Sequence, residues 1–76
     1  MNDNRLLRVQ RIFREIFDDH GLKVTPTLSP AEVPEWDSVA TVQIVLALEQ
    51  EFSFRFATDA VARIQSVQDL LDALPR

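Results

Sequence analysis

Apolar residues near the start of the chain return at three- and four-residue steps. Leu6, Val9, Phe13, Ile16 and Phe17 share one face of a helix predicted over about 3–19. Asn2, Asp3 or Asn4 is placed to cap its start, and Gly21 stands where a left-handed residue ends a helix. The pattern then breaks. The segment LKVTPTLSPAEVPEW, 22–36, carries prolines at 26, 30 and 34, which rule out any helix longer than a turn. Leu22, Val24, Leu28, Val33 and Trp36 are spaced to pin this connection to a core, so an ordered, functional loop is expected rather than a disordered one.

Helical periodicity resumes over 38–51. Val39, Val42, Val45, Leu46 and Phe52 form its expected apolar stripe, widened by Ile44 and Leu48. Phe52, Phe54 and Phe56 then alternate as a strand would. One short strand has no partner here, so an extended connector planting three rings in the core is expected. Thr58-Asp59 is read as the cap of a short helix over 58–63, with Ala60, Val61 and Ile64 facing inward. The last helix, 66–74, opens with Ser66 and Asp69 in capping-box spacing, buries Val67, Leu70, Leu71 and Leu74, and stops at Pro75. The fold class is therefore all-α: a small four-helix bundle, three main helices plus one short, with a long loop between the first two. A single domain over 1–76 is expected.

Composition narrows the function. The chain has 76 residues, too few to enclose a large catalytic cavity, and its apolar share of 46% suffices for a small core. It contains no cysteine, which excludes disulfides and thiolate-bound zinc. A net charge of −4 and a pI near 4.7 disfavour nucleic acid and favour basic protein partners. No stretch approaches the roughly 20 apolar residues of a membrane span. The N-terminus lacks the apolar centre of a secretory signal, so a cytoplasmic location is the default. Arg5, Arg8, Arg11 and Arg14 spread over a broad basic flank, expected to be a solvated face with local ion pairs. His20, the only histidine, has no second histidine or cysteine with which to build a site. Carboxylates are scattered, and no glycine-rich phosphate cradle occurs, so an enzyme is not expected.

One place invites chemistry. Ser38 falls at the mouth of the second helix, where backbone N–H groups lack partners and the macrodipole is positive. Two readings stand on these residues alone. Ser38 is an ordinary cap, in which case Ser38→Ala costs roughly 1 kcal/mol. Alternatively its oxygen carries an anionic group, phosphate above all. Trp36, just before it, is placed to anchor the loop and fix how the serine is presented.

The segment WDSVATVQIVLALEQEFSFRF resembles the acyl carrier protein and peptidyl carrier protein family. Asp37-Ser38 followed by an aliphatic residue opens the second helix, which runs into Leu48-Glu49-Gln50-Glu51-Phe52. Farther on, RIQSVQDLLDAL resembles the family's last helix, and the likeness spans the chain. It implies a phosphoprotein whose Ser38 bears 4'-phosphopantetheine, taken from coenzyme A by a separate phosphopantetheinyl transferase. Asp37, Trp36 and Val39 would flank the attachment. The arm's thiol would hold acyl or aminoacyl groups as thioesters for the acyl-loading and acyl-processing enzymes of fatty-acid, polyketide or related biosynthesis. Val39, Gln43, Glu49 and Glu51 would meet those partners, and the carrier would act as a monomer. Val39, Val42, Leu46, Phe54, Ile64 and Leu71 could part to shelter cargo, though most are more simply core.

The chain also departs from the family. Trp36 and Ser53 stand where glycine or a small residue is common, and Ala40 and Gln43 stand where carboxylates are frequent. These departures favour a dedicated carrier of a specialised pathway. The alternative is an unmodified helical protein-interaction module with the same fold. A DNA-binding regulator using the arginine flank is disfavoured by the net charge.

Overall fold

A computed structural model describes residues 4–75. Within them the chain forms α1 (Asn4–Ile16), α2 (Ser38–Phe52), α3 (Thr58–Ala62) and α4 (Val67–Ala73), and no strand. The molecule measures 30 × 26 × 20 Å. The candidate caps Asn2 and Asp3 lie outside the described residues.

The core is a three-way meeting of helices sealed by the loop. Val9, Ile12 and Phe13 of α1 face Ala40, Ile44 and Leu48 of α2, and Val67, Leu70 and Leu71 of α4 close the third side. Val24, Val33 and Trp36 of the loop are buried in the same cluster, with Leu22 and Leu28 packed at its edge. The loop is thus anchored as its apolar spacing predicts. Phe13 is fully buried and meets the Trp36 ring edge-to-face at 5.2 Å. Burying one such ring contributes about 1.5–3 kcal/mol.

Polar atoms fix where the loop lies. The Val67 and Gln68 amides at the start of α4 donate to the Leu28 and Pro26 carbonyls at 2.9 and 2.8 Å. Loop backbone therefore satisfies two of the donors that a helix start leaves over. The Ser66 side chain makes no cap bond, and Asp69 instead accepts from the Gln65 amide at 2.8 Å. Only one arm of the expected capping box forms, displaced by one residue.

Several boundaries differ from expectation. Helix α1 ends at Ile16, and Asp18, with φ 50°, takes the left-handed conformation expected of Gly21. Amides of Asp19 and Asp18 then return to the carbonyls of Arg14 and Glu15, the double closure of a Schellman ending. Aspartate tolerates this conformation better than most residues, so the helix need not wait for glycine. Helix α3 runs only to Ala62; its cap position is Ala57, not Thr58-Asp59, and no side chain caps it. Phe52 completes α2, leaving Phe54 and Phe56 on the connector, both half-buried against the core and 4.7 Å apart.

The arginine row does something other than coat a solvated face. Arg8 donates to the Glu51 carboxylate at 2.8 Å and to its carbonyl at 2.9 Å, while its guanidinium lies 4.0 Å from the centre of the Phe52 ring. Arg11 reaches the same carboxylate at 3.1 Å. Arg14 donates to the Leu22 carbonyl and Arg5 to that of Leu71. Steps of three fan the four side chains around α1, so they tie that helix to α2, the loop and α4 rather than pairing locally.

The largest revision concerns the faces of α2. Ala40, Ile44, Val45 and Leu48 are buried, whereas Val39, Val42 and Leu46 of the expected inward stripe are 65%, 51% and 55% exposed. Helix α2 is apolar nearly all round, and its close approach to α1 selects the side carrying Ala40, Ile44 and Leu48. The remaining aliphatics are left facing water.

The mouth of helix two as a candidate functional site

The residue that caps α2 is Asp37. Its backbone is extended, and its carboxylate accepts from the Ala40 amide at 2.8 Å. Its carbonyl accepts from the Thr41 amide at 2.9 Å and the Thr41 hydroxyl at 3.0 Å, and its own amide donates to the Glu35 carbonyl at 3.0 Å. Ser38 is consequently the first residue inside the helix, and the cap cost expected for Ser38→Ala belongs to Asp37 instead. The Ser38 side chain is exposed, and its hydroxyl has no hydrogen-bond partner among the described residues. Neither do the Ser38 and Val39 amides, so the helix presents unpaired donors beside that oxygen.

Trp36 is 4% exposed, and its indole N–H donates to the Thr41 hydroxyl at 2.9 Å. Thr41 therefore bridges the buried ring and the cap residue. Sequence reasoning missed it; the available signal was a hydroxyl one turn into the helix, able to reach back to the cap carbonyl.

Beside Ser38 lies an open groove of about 320 Å³ lined by Ser38, Thr41, Val42, Val61, Ala62 and Ile64. Of the side chains expected to shelter cargo, Val42 and Ile64 line this groove. Val39 and Leu46 stand exposed on the outer side of α2, Leu71 belongs to the core, and Phe54 sits half-buried on the connector. Gln43 is exposed. Glu49 is half-buried and accepts from the Phe56 amide at 2.9 Å, which fixes the connector. The Glu51 carboxyl is held below its ordinary pKa chiefly by the hydrogen bond from Arg8; partial desolvation opposes this as the next effect in size, and the Arg11 and Arg8 charges add to the lowering. Both carboxylates of α2 are thus committed within the fold. His20 is exposed beyond the end of α1, and no cluster of three metal-ligating side chains exists among the described residues. Among the described residues no helix is long and apolar enough to cross a membrane.

The donor set fits a phosphodiester: an unbonded hydroxyl in water, unpaired amides beside it and a positive helix end behind it. No family model matches the chain. It is 33% identical over 73 residues to an acyl carrier protein of Thermosynechococcus vestitus, a match covering 95% of this chain and 90% of that one. The solution structure of a holo acyl carrier protein from Geobacter metallireducens superposes with a TM-score of 0.84 at 28% identity, covering 93% of this chain and 82% of that one. By this resemblance over nearly its whole length, in sequence and in fold, the chain belongs to the acyl carrier protein family, whose members are carriers rather than enzymes.

Proposed function

We propose that Ser38 is the residue to which 4'-phosphopantetheine is attached, and that the protein carries acyl groups on that arm. The observation that carries the reading is the division of labour at the mouth of α2: Asp37 makes the cap, so the adjacent hydroxyl is exposed and unbonded. In the attachment step the Ser38 oxygen bonds to the pantetheine-side phosphorus of coenzyme A. The pyrophosphate linkage breaks, the adenosine bisphosphate half departs with the bonding electrons, and the serine proton passes to a base of the transferase. Once bound, the arm supplies a thiol that holds the cargo as a thioester, which suits a chain without cysteine. The unpaired amides of Ser38 and Val39 and the helix dipole stabilise the new negative charge by about 0.3–1 kcal/mol. The neighbouring groove offers the arm and the first carbons of its cargo an apolar wall of Val42, Val61 and Ile64.

Partners of the carrier meet the outer side of α2. Val39, Val42, Gln43, Leu46 and Gln50 are exposed on it, with Glu49 and Glu51 at its far end already engaged. This nearly uncharged face favours dedicated loading and processing enzymes of a specialised pathway over general ones that recognise an acidic helix.

Incubation with coenzyme A, magnesium and a broad-specificity phosphopantetheinyl transferase, followed by intact-mass spectrometry, tests the attachment. The chain gains the mass of one phosphopantetheine. A chain that stays unmodified while a control carrier is converted overturns the reading in favour of an unmodified interaction module.

A further inference from the structure

We infer that Trp36 and Thr41 form a positioning pair that holds Ser38 for phosphopantetheinyl transfer; this rests on Ser38 being the attachment residue. The contacts run without a break from the core to the residue before the serine. Phe13, fully buried in α1, meets the Trp36 ring edge-to-face at 5.2 Å, and that ring is itself 4% exposed. Its indole N–H donates to the Thr41 hydroxyl at 2.9 Å, which donates in turn to the Asp37 carbonyl at 3.0 Å. The same carbonyl takes the Thr41 amide, the Asp37 carboxylate takes the Ala40 amide, and the Asp37 amide is held by Glu35.

Every polar group of Asp37 is therefore bonded, and Ser38 follows it directly. A serine on a loosely held helix start would sample many directions. Here the Ser38 hydroxyl stands exposed beside the two leading amides, and none of the three has a hydrogen-bond partner among the described residues. Smaller residues at 36 would leave α2's first turn unconnected to α1 through this route, because only an indole combines a ring large enough to reach Phe13 with an N–H directed at Thr41. A phosphoryl transfer needs its attacking oxygen in line with the leaving group, and a misplacement of about 1 Å costs on the order of 100-fold in rate.

Trp36→Phe keeps a ring against Phe13 and removes the N–H; Thr41→Val removes the hydroxyl at nearly constant shape; Thr41→Ser restores it. Each variant is titrated as substrate of a phosphopantetheinyl transferase with coenzyme A, following conversion by intact mass. Amide hydrogen exchange at Ala40 and Thr41 is read on the unmodified proteins. Trp36→Phe and Thr41→Val are expected to lower kcat about tenfold with KM little changed, and to speed exchange at both amides. Thr41→Ser restores both readouts, and the double variant is no slower than the worse single one, because the two residues act through one bond. Unchanged kcat in both variants, with wild-type conversion normal, overturns the pairing and leaves the attachment reading intact. A loss confined to thermal stability also overturns it. A wild-type chain that accepts no arm overturns the attachment reading and this inference with it.

Discussion

Two helix starts in this molecule look alike in sequence and differ in use. Both α2 and α4 open at a short polar pair: Asp37-Ser38, whose serine is the first helical residue, and Gln65-Ser66, whose serine is the cap position. At α4 the leading amides are taken by the Leu28 and Pro26 carbonyls, and Ser66 is half-buried beneath the loop that supplies them. At α2 the cap comes from the side chain of Asp37, one residue outside the helix, and the space in front of Ser38 stays open. A helix mouth is available for chemistry when its cap is local, and closed when a distant segment provides it. The residue type is the same at both mouths, but its position relative to the helix is not.

That contrast is broken most severely by Ser38→Ala. Phosphopantetheine incorporation by intact mass is expected to fall to zero, while the unfolding free energy in urea shifts by no more than about 0.5 kcal/mol, since this hydroxyl makes no internal bond. Next comes the pair of cap substitutions. Asp37→Ala is expected to destabilise by about 1 kcal/mol, whereas Ser66→Ala costs no more than a few tenths, because loop carbonyls and not Ser66 satisfy α4. Equal losses in urea denaturation would erase the distinction.

The far end of α2 sharpens it further. Ser53 closes the helix with φ 54° and ψ 54°, a left-handed conformation that glycine adopts without strain. Ser53→Gly should therefore stabilise by about 0.5–1 kcal/mol, read as a raised denaturation midpoint. The smallest effect belongs to Glu51. Its folded pKa lies below the ordinary value of 4.5, so the stability it lends is complete above that pH and drains away as acid carries the solution through the lower folded value. The stability gap between wild type and Glu51→Gln should accordingly shrink on titration from neutrality towards about pH 3, measured by urea unfolding at each pH.

Much of this was legible in the residues. Three- and four-step apolar spacing placed the three longer helices, the short α3 was read from a Thr58-Asp59 cap that does not form, and five apolar side chains in the 22–36 loop marked it as anchored. Proline positions marked where helices could not run. The face of α2 was not legible, because Val39, Val42, Ile44, Val45, Leu46 and Leu48, joined by Ala40 and Ala47, leave only a narrow polar strip at Gln43 and Gln50 for periodicity to point away from. Only packing against α1 chose among them. The roles of the arginines were hidden for a related reason: Glu51 lies 43 residues from Arg8, and no local spacing announces such a pair. At the site, Asp37-Ser38 was visible at once, but which of the two capped the helix was decided by the extended backbone of Asp37. Thr41 became meaningful only when Trp36 was seen to bond it.

The buried indole has a spectroscopic corollary. The chain contains one tryptophan and no tyrosine, so indole emission from this protein comes from a single ring, two residues before Ser38. Any event that disturbs the first turn of α2 will register as a change in wavelength or quenching of that one fluorophore, with no label required.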